Sequence, residues 1–266
     1  MENDFKLIVR DFDTDITIYP ISDVHLGSLE HNKKEWDKFV NKIANEPNSY
    51  IILAGDLMNN ATRSSVSNIF EETLRPSEQK KRLIKYLTPI KDKIICAVSG
   101  NHERRSGKDA DDDPTYDIMC KLDLEDIYRQ NMAFVKLQLG TPEQIKKRQA
   151  ATYTFVVTHG SGGGIFTGSA VNKNERFGYV VDGMDCLIVG HTHKGAISKP
   201  SKIVIDPRNN VVSMKSFTVV SCQAWMNYGG YAAQKMLLPS TNATSEGSQK
   251  ITLSSNNRKK AINVIW

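Results

Sequence analysis

The sequence lacks the features that mark membrane, secreted and disulfide-stabilised proteins. No apolar run approaches the ~18 residues of a membrane-spanning helix, and the charged start MENDFK does not resemble a secretory signal. Only four cysteines occur in 266 residues, none in a C-x-x-C pair, and three lie in apolar runs where a thiol packs as a small hydrophobe. We therefore expect a reduced, cytoplasmic protein with no membrane partner.

The net charge and the length of the chain exclude few classes of protein. The net charge of +5 is compatible with a polyanionic partner such as DNA or RNA, but a surplus of this size also occurs on proteins that never bind nucleic acid. A chain of 266 residues, 39% of them hydrophobic, is an ordinary size for one α/β domain. We expect a single domain over residues 1–266 and make no prediction of oligomeric state.

Strand-like runs and helical patterns alternate up to Gly195, and mostly strand-like runs follow it. Helices are expected at the stripe of Trp36, Phe39, Val40 and Ile43, after N-caps at Ser77 and Asp113, and after a capping box at Thr141. Strands are expected at Leu7–Val9, Ile16–Tyr19, Tyr50–Ala54, Ile94–Val98, Thr152–Thr158, Cys186–Val189, Ile203–Ile205, Val211–Met214, Phe217–Cys222 and Ile262–Trp266. This order predicts a mixed α/β fold with two sheets.

Five segments that each follow an apolar strand carry most of the metal-binding residue types. Histidine is scarce, with six in the chain, yet five of the six fall at such strand ends. In open α/β sheets ligands bind beyond the carboxyl ends of the strands, where segments distant in sequence converge. The residues concerned are Asp23, His25, Asp56, Asn101, His102, His159, His191 and His193.

The residue types at these strand ends suit divalent metal ions. Imidazole, carboxylate and amide oxygen favour Mn, Fe or Zn, and no thiolate is offered. In D-V-H and H-T-H the outer residues are two apart, so they point to the same side of an extended segment. Without His102, whose role is taken up below, seven ligands remain, which are too many for one ion and fit two ions that share a bridging carboxylate. A lone D-x-H or GD is typical of a turn or a cap, and a lone histidine of a satisfied, partly buried side chain, whereas GHTH alone already favours a metal. All five motifs together favour a metal site.

In its motifs the sequence resembles the calcineurin-like metallophosphoesterase superfamily. The pattern D-x-H, GD, GNH followed by an acid, a lone H and GHxH occurs in order between residues 23 and 193. The resemblance implies a four-layer α-β-β-α sandwich of two mixed sheets. It also implies two divalent metal ions, for which we expect Mn²⁺, with Fe or Zn as alternatives. The implied ligands are Asp23, His25 and His193 for one ion, Asn101, His159 and His191 for the other, and Asp56 as the bridge.

The resemblance also implies a reaction. Two metal ions ~3.5–4 Å apart lower the pKa of a shared water and clamp the phosphoryl oxygens, so hydroxide is the nucleophile. Asp56 would act through the bridge, and His102 would face the substrate and protonate the leaving oxygen or stabilise its charge.

The substrate class is less closely defined. Protein phosphatases of the superfamily continue GD with V-D-R-G, whereas this chain continues with LMNN and lacks that arginine. SDVHLGS and GHTH look more like phosphodiesterases and repair nucleases, and phage-encoded relatives are similar. We therefore expect phosphodiester hydrolysis in nucleic acid or nucleotides. The alternatives are a phosphomonoesterase and a scaffold without catalytic activity.

Several residues near the motifs are candidates for substrate binding. Arg104, Arg105 and Lys194 directly follow ligand motifs, and Asn59 lies three residues after Asp56; the alternatives are solvated charges and a turn residue. Two roles are open for GSGGG (160–164): its backbone N–H groups bind a phosphate, or it forms a flexible entry to the next helix. The aromatic side chains of WMNYGGYAAQK (225–235) either stack on bases or pack in the core, and we favour core packing. Residues 103–150 are long enough for a lid or cap.

Overall fold

The computed structural model describes residues 5–63, 65, 69–164, 166–257 and 260–266; the first four residues of MENDFK lie outside this part of the chain. The strands are β1 (Ile8–Phe12), β2 (Ile16–Ile21), β3 (Ser49–Ala54), β4 (Ile94–Val98), β5 (Tyr128–Arg129), β6 (Met132–Leu139), β7 (Ala151–Thr158), β8 (Cys186–Val189), β9 (Ala196–Ser198), β10 (Ser201–Asp206), β11 (Val211–Ser216), β12 (Thr218–Ser221), β13 (Lys250–Leu253) and β14 (Ile262–Ile265). The helices are α1 (Lys33–Asn45), α2 (Pro76–Leu87), α3 (Arg104–Ala110), α4 (Pro114–Lys121), α5 (Pro142–Lys146), α6 (Thr167–Gly178) and α7 (Gly230–Gln234).

Two six-stranded sheets organise the molecule. The first has the order β1-β6-β7-β8-β12-β9 and the second the order β14-β13-β2-β3-β4-β5. In the second sheet β2, β3, β4 and β5 run parallel, while β13 and β14 pair antiparallel at one edge. In the first sheet β7 is parallel to β8 and antiparallel to β6. Both sheets are therefore mixed.

Alternate residues of the strands face different cores. In β3, Ile52 and Ala54 pack in the core between the two sheets, while Ile51 and Leu53 pack against the helices outside the second sheet. That outer core is closed by α1, α2 and α4, and α6 packs against the outer face of the first sheet through Phe177. The expected four-layer α-β-β-α sandwich of two mixed sheets is confirmed.

The helix signals of the sequence are reproduced with one correction. Helix α1 buries the apolar stripe that predicted it, and Asp113 and Thr141 cap α4 and α5. The cap of α2 is different: Arg75 is the N-cap and Ser77 lies inside the first turn. Proline favours the first position of a helix because it has no N–H to satisfy, so Pro76 takes that position and moves the cap one residue earlier.

Residues 103–150, which the sequence offered as a lid, lie largely in the body of the fold. Within this segment β6 pairs with β1 and β7, and its alternate residues are buried in the core between the sheets. A cavity lies beside the predicted metal-binding residues, and of its described lining residues only Arg105 comes from this segment. None of the described helices combines the length and the apolar character that a bilayer crossing needs.

Candidate metal centre

The predicted residues converge where five strands end. Asp23 and His25 follow β2, Asp56 follows β3, and Asn101 follows β4, all neighbours in the second sheet. His159 and the histidines of GHTH follow β7 and β8, parallel neighbours in the first sheet. The carboxyl ends of both sheets therefore meet at one edge of the sandwich, as expected for ligand-binding loops of α/β sheets.

The backbone at these positions is unusual. Five of the predicted ligand residues have left-handed backbone with φ between 47° and 71°: Asp23, His25, Asp56, His191 and His193. Such conformations cost free energy for residues other than glycine and concentrate at functional sites. Two glycines permit the close approach of the loops, because a Cβ at Gly100 would overlap with Asp56 and a Cβ at Gly190 would overlap with the Ser22 hydroxyl.

One group of donor atoms surrounds Asp23. The Nε2 atoms of His25 and His193 lie 3.0 Å apart, and Asp23 Oδ1 lies 3.2 Å from the latter and 3.8 Å from the former. Asp23 Oδ1 is buried and has no hydrogen-bond partner. Its other oxygen accepts a bond from the His191 N–H at 2.9 Å. An unpaired carboxylate oxygen facing two imidazole nitrogens fits a divalent cation.

A second group surrounds Asn101. Its Oδ1 atom lies 3.0 Å from His159 Nε2 and 2.7 Å from His191 Nδ1. Asp56 connects the two groups, because its Oδ2 lies 3.1 Å from His159 Nε2 and 3.9 Å from His25 Nε2. Asp56 Oδ1 accepts the backbone N–H of His102 at 2.8 Å, which leaves Oδ2 as the shared donor atom. The geometry thus fits two ions with one bridging carboxylate oxygen.

Hydrogen bonds at the far side of two imidazole rings fix their orientation. His25 Nδ1 donates to Asn59 Oδ1 at 3.2 Å, and His159 Nδ1 donates to the Ala54 carbonyl at 2.8 Å. Each ring therefore turns Nε2 toward the position a metal would take, the arrangement that polar partners of metal-binding histidines commonly impose. Asn59 in turn donates its amide to Glu72.

Opposed charges dominate the electrostatics of the metal-free site. Burial disfavours ionisation of Asp23 and Asp56, but the neighbouring histidines outweigh it and hold both pKa values below the ordinary range. Burial likewise opposes protonation of His159, but the Asp56 carboxylate raises its pKa to about 9. These side chains hold protons at the positions where metal ions would bind, so metal binding would release those protons.

His102 stands beside both groups but is bonded differently. Its Nδ1 lies 2.8 Å from the Asn59 carbonyl and its Nε2 lies 2.9 Å from Arg105 Nη2. Nδ1 therefore carries the proton and Nε2 accepts a bond from the guanidinium. Burial, together with the nearby His25, lowers the pKa of His102 to about 3. His102 Nε2 is 3.8 Å from Asp56 Oδ2, so it borders the bridge.

A cavity of about 940 Å³ opens directly from these donor atoms. Arg105, Lys194 and Gly162–Gly164 line it beside the histidines, and on another side it is walled by residues between Ala224 and Asn242. The volume is in the range of small-molecule and cofactor pockets. A phosphoester placed at the metal centre would therefore have room for its organic group.

A family model for calcineurin-like phosphoesterases matches residues 16–195, a range that contains every donor residue described above. The chain belongs to this family. No curated protein matches the chain.

Solved structures similar to this phosphoesterase are remote in sequence. One is a conserved uncharacterised protein and predicted phosphoesterase from Streptococcus pneumoniae TIGR4, with 11% identity, coverage of 94% of this chain and 89% of that one, and a TM-score of 0.36. Two are cold-active protein tyrosine phosphatases: a point mutant with 10% identity and TM-score 0.34, and one from a psychrophilic Shewanella species with 9% identity and TM-score 0.32. Each covers 98% of this chain and 83% of its own. Family membership rests on the match over residues 16–195.

The structure separates the substrate-binding candidates of this phosphoesterase. Arg105 and Lys194 line the cavity. Arg104 does not: its Nη2 donates to the Ser99 carbonyl at 2.9 Å and to the Gln130 carbonyl at 3.2 Å. Successive residues of a helix point about 100° apart, so the two arginines at the start of α3 face different surroundings. Asn59 lines the cavity, but its amide is bonded to His25 and Glu72.

Two buried residues that position the motif loops were not predicted from the sequence. The Glu103 carboxylate accepts the backbone N–H groups of Asp56, Met58 and Gly100 at 2.9–3.0 Å. Burial, reinforced by the Asp56 charge, raises the pKa of Glu103 to about 7. Asn60 donates to the His102 carbonyl at 2.8 Å. The acid after GNH was the available signal for Glu103; the sequence offers no comparable signal for Asn60.

Proposed function

We propose that this phosphoesterase hydrolyses phosphodiester bonds in nucleic acid or nucleotides and uses two divalent metal ions. The observation that carries the proposal is the pair of donor groups joined through Asp56 Oδ2 at the floor of an open cavity. Bound metal ions would supply Lewis-acid polarisation of the phosphoryl group and a water of lowered pKa. Asp23, His25 and His193 would hold one ion, and Asn101, His159 and His191 the other.

The chain supplies two groups to the substrate side. Arg105 is the guanidinium at the cavity beside His102, and a planar fork of donors matches the non-bridging oxygens of a phosphate. His102 Nε2 accepts a bond from Arg105. To act as a general acid, Nε2 must carry a proton, which requires Arg105 to release it. A phosphate that binds Arg105 frees Nε2 to take up a proton and give it to the leaving oxygen.

Charge supports a diester over a monoester. The four residues after GD are LMNN, and its two amides, Asn59 and Asn60, are bonded to His25 and Glu72 and to the His102 carbonyl. Neither brings positive charge to the cavity, and the Glu72 carboxylate is part of the cavity lining. A monoanionic diester therefore needs less compensation here than a dianionic monoester. Phosphomonoester hydrolysis is the second candidate, favoured by the presence of both Arg105 and Lys194 at the cavity.

The donor set supports Mn²⁺ as the native metal, with Fe or Zn as alternatives, since nitrogen and oxygen donors are offered without thiolate. The four cysteines are unpaired thiols, which supports the expected cytoplasmic setting, whether in a cell or for a phage-encoded protein in its host.

Matched substrates test the diester assignment. The Mn²⁺-loaded protein should hydrolyse methyl p-nitrophenyl phosphate with a higher kcat/KM than p-nitrophenyl phosphate at one pH, because this ratio reports differential binding of the two transition states. A preference of tenfold or more for the monoester would replace the proposal with the phosphatase alternative.

A further inference from the structure

The cavity extends well beyond the metal centre on one side. There its wall is formed by the segment between Ala224 and Asn242, which we call the wall loop, and none of the described lining residues of this loop carries a charge. Exposed apolar side chains are part of the wall: Tyr228, Leu237 and Leu238 are 51%, 37% and 46% exposed. The wall therefore offers an uncharged surface next to a charged centre.

The wall loop is fixed relative to the metal-binding residues. At its base Ala243 N–H donates to the Ala224 carbonyl at 2.9 Å, which closes the loop. Asn227 N–H donates to the Glu30 carbonyl at 2.7 Å, and the Ser240 hydroxyl donates to the carbonyl of His193 at 3.0 Å. The uncharged surface is thus held at a set position beside a ligand residue.

Among the described lining residues of this wall, Tyr228 is the aromatic one. Its hydroxyl donates to the Leu237 carbonyl at 2.9 Å, which holds the side chain in place, and the residue is 51% exposed. The neighbouring Trp225 differs, because it is fully buried against Trp36 and Phe39 and serves the core. An exposed ring with amide groups nearby, here Asn227, Gln234 and Asn242, suits a flat heterocycle with polar edges, such as a nucleobase.

The charges around the cavity disfavour a long polyanion. Apart from the metal-site residues, the described lining carries the carboxylates Glu30, Glu71 and Glu72 and the cations Arg105 and Lys194. Binding of a nucleic-acid strand without a sequence preference depends on lysine and arginine along the path of its backbone. The net positive charge of the chain is therefore not concentrated at this cavity.

We propose that the wall loop forms a nucleobase subsite, with Tyr228 as the stacking platform, and that the substrate is a nucleotide-sized phosphodiester rather than a nucleic-acid strand. The choice of substrate rests on the proposed diesterase function; the subsite itself rests on the cavity. One phosphodiester lies at the metal centre and its base lies against the uncharged wall.

Two diesters that differ in the base test the subsite. For the Mn²⁺-loaded protein, kcat/KM for thymidine 5′-(p-nitrophenyl phosphate) should exceed that for methyl p-nitrophenyl phosphate by about tenfold or more. Tyr228→Ala should remove most of this ratio, and Tyr228→Phe should retain it because the ring is kept. Leu238→Glu, which places a charge in the wall, should also lower the ratio. Tyr179→Ala is the matched control, since Tyr179 is 49% exposed, bonds a carbonyl and lies outside the cavity.

The outcomes separate the two proposals. An unchanged ratio in both Tyr228→Ala and Leu238→Glu overturns the subsite. An oligonucleotide that is cleaved with a higher kcat/KM than the nucleotide diester, and with a steep salt dependence, overturns the choice of a nucleotide-sized substrate. If neither diester is cleaved and p-nitrophenyl phosphate is, the diesterase function fails. The subsite is then decided by calorimetric binding of thymidine 5′-monophosphate, which Tyr228→Ala should weaken about tenfold and Tyr179→Ala should not.

Discussion

Asn59→Ala should weaken metal binding although Asn59 is not a metal ligand. In the structure the Asn59 amide oxygen accepts the Nδ1–H of His25 at 3.2 Å, and its amide nitrogen donates to Glu72. His25 is only 2% exposed, so water cannot readily replace the lost partner. The substitution therefore leaves a buried N–H unpaired and lets the ring choose another tautomer or orientation.

The expected loss of metal affinity follows from two effects of similar size, the unsatisfied donor and the lost orientation of the ring. An unsatisfied buried donor costs about 1–3 kcal/mol. Removing a group that orients a ligand histidine typically lowers metal affinity by about 10–100-fold, or roughly 1.4–2.7 kcal/mol. Because the bond includes a neutral amide and is 3.2 Å long, we expect the lower half of that range, about 10–30-fold.

Calorimetric titration of the metal-free protein with Mn²⁺ measures this directly. The affinity for the ion held with His25 should fall, while the affinity for the ion held with His159 changes less. The difference in Mn²⁺ affinity between the two binding steps should therefore increase. Asn45→Ala is a control, since Asn45 is an exposed residue of α1 that bonds within its own helix. Unchanged Mn²⁺ affinity in Asn59→Ala would refute the claim that this bond orients the ligand.

Three further predictions concern the centre itself. His102→Ala should keep both ions, measured by elemental analysis, and lose about 10²–10⁴-fold in kcat; loss of metal together with activity would make His102 a ligand. Asp56→Asn should weaken both ions in the same titration, because a neutral amide bridges poorly; weakening of one ion alone would contradict the bridge. The metal-free protein should lose stability as the pH rises from about 6.5 to 9, because the pKa of His159 is about 9 in the folded state and ordinary, ~6.5, in the unfolded chain. Urea unfolding should show this loss, and His159→Gln should reduce it; a slope that the variant leaves intact would contradict the assignment.

The convergence of the candidate ligands could be predicted because each lies in a short motif directly after an apolar strand. Sequence proximity to a strand end is a local property, and parallel strands bring their carboxyl ends to one edge. Which side chains next to the motifs reach the cavity could not be predicted in this way, because that depends on tertiary structure. Arg104 and Arg105 are neighbours in sequence, but only the start of α3 decides which of them reaches the cavity.

Strand β6 shows why part of the fold was not predicted. Its buried residues Ala133, Val135, Leu137 and Leu139 alternate with partly exposed positions that include Lys136 and Gln138. The polar positions interrupt the apolar run, so residues 103–150 suggested an insertion rather than a strand inside a sheet. A period of two is the signal of a half-buried strand, and it was present.

Anomalous diffraction from Mn²⁺-loaded crystals shows directly whether two metal ions share Asp56. Two peaks are expected about 3.5–4 Å apart, one beside Asp23, His25 and His193, the other beside Asn101, His159 and His191, with Asp56 between them. A single peak, or peaks away from these residues, would contradict this assignment.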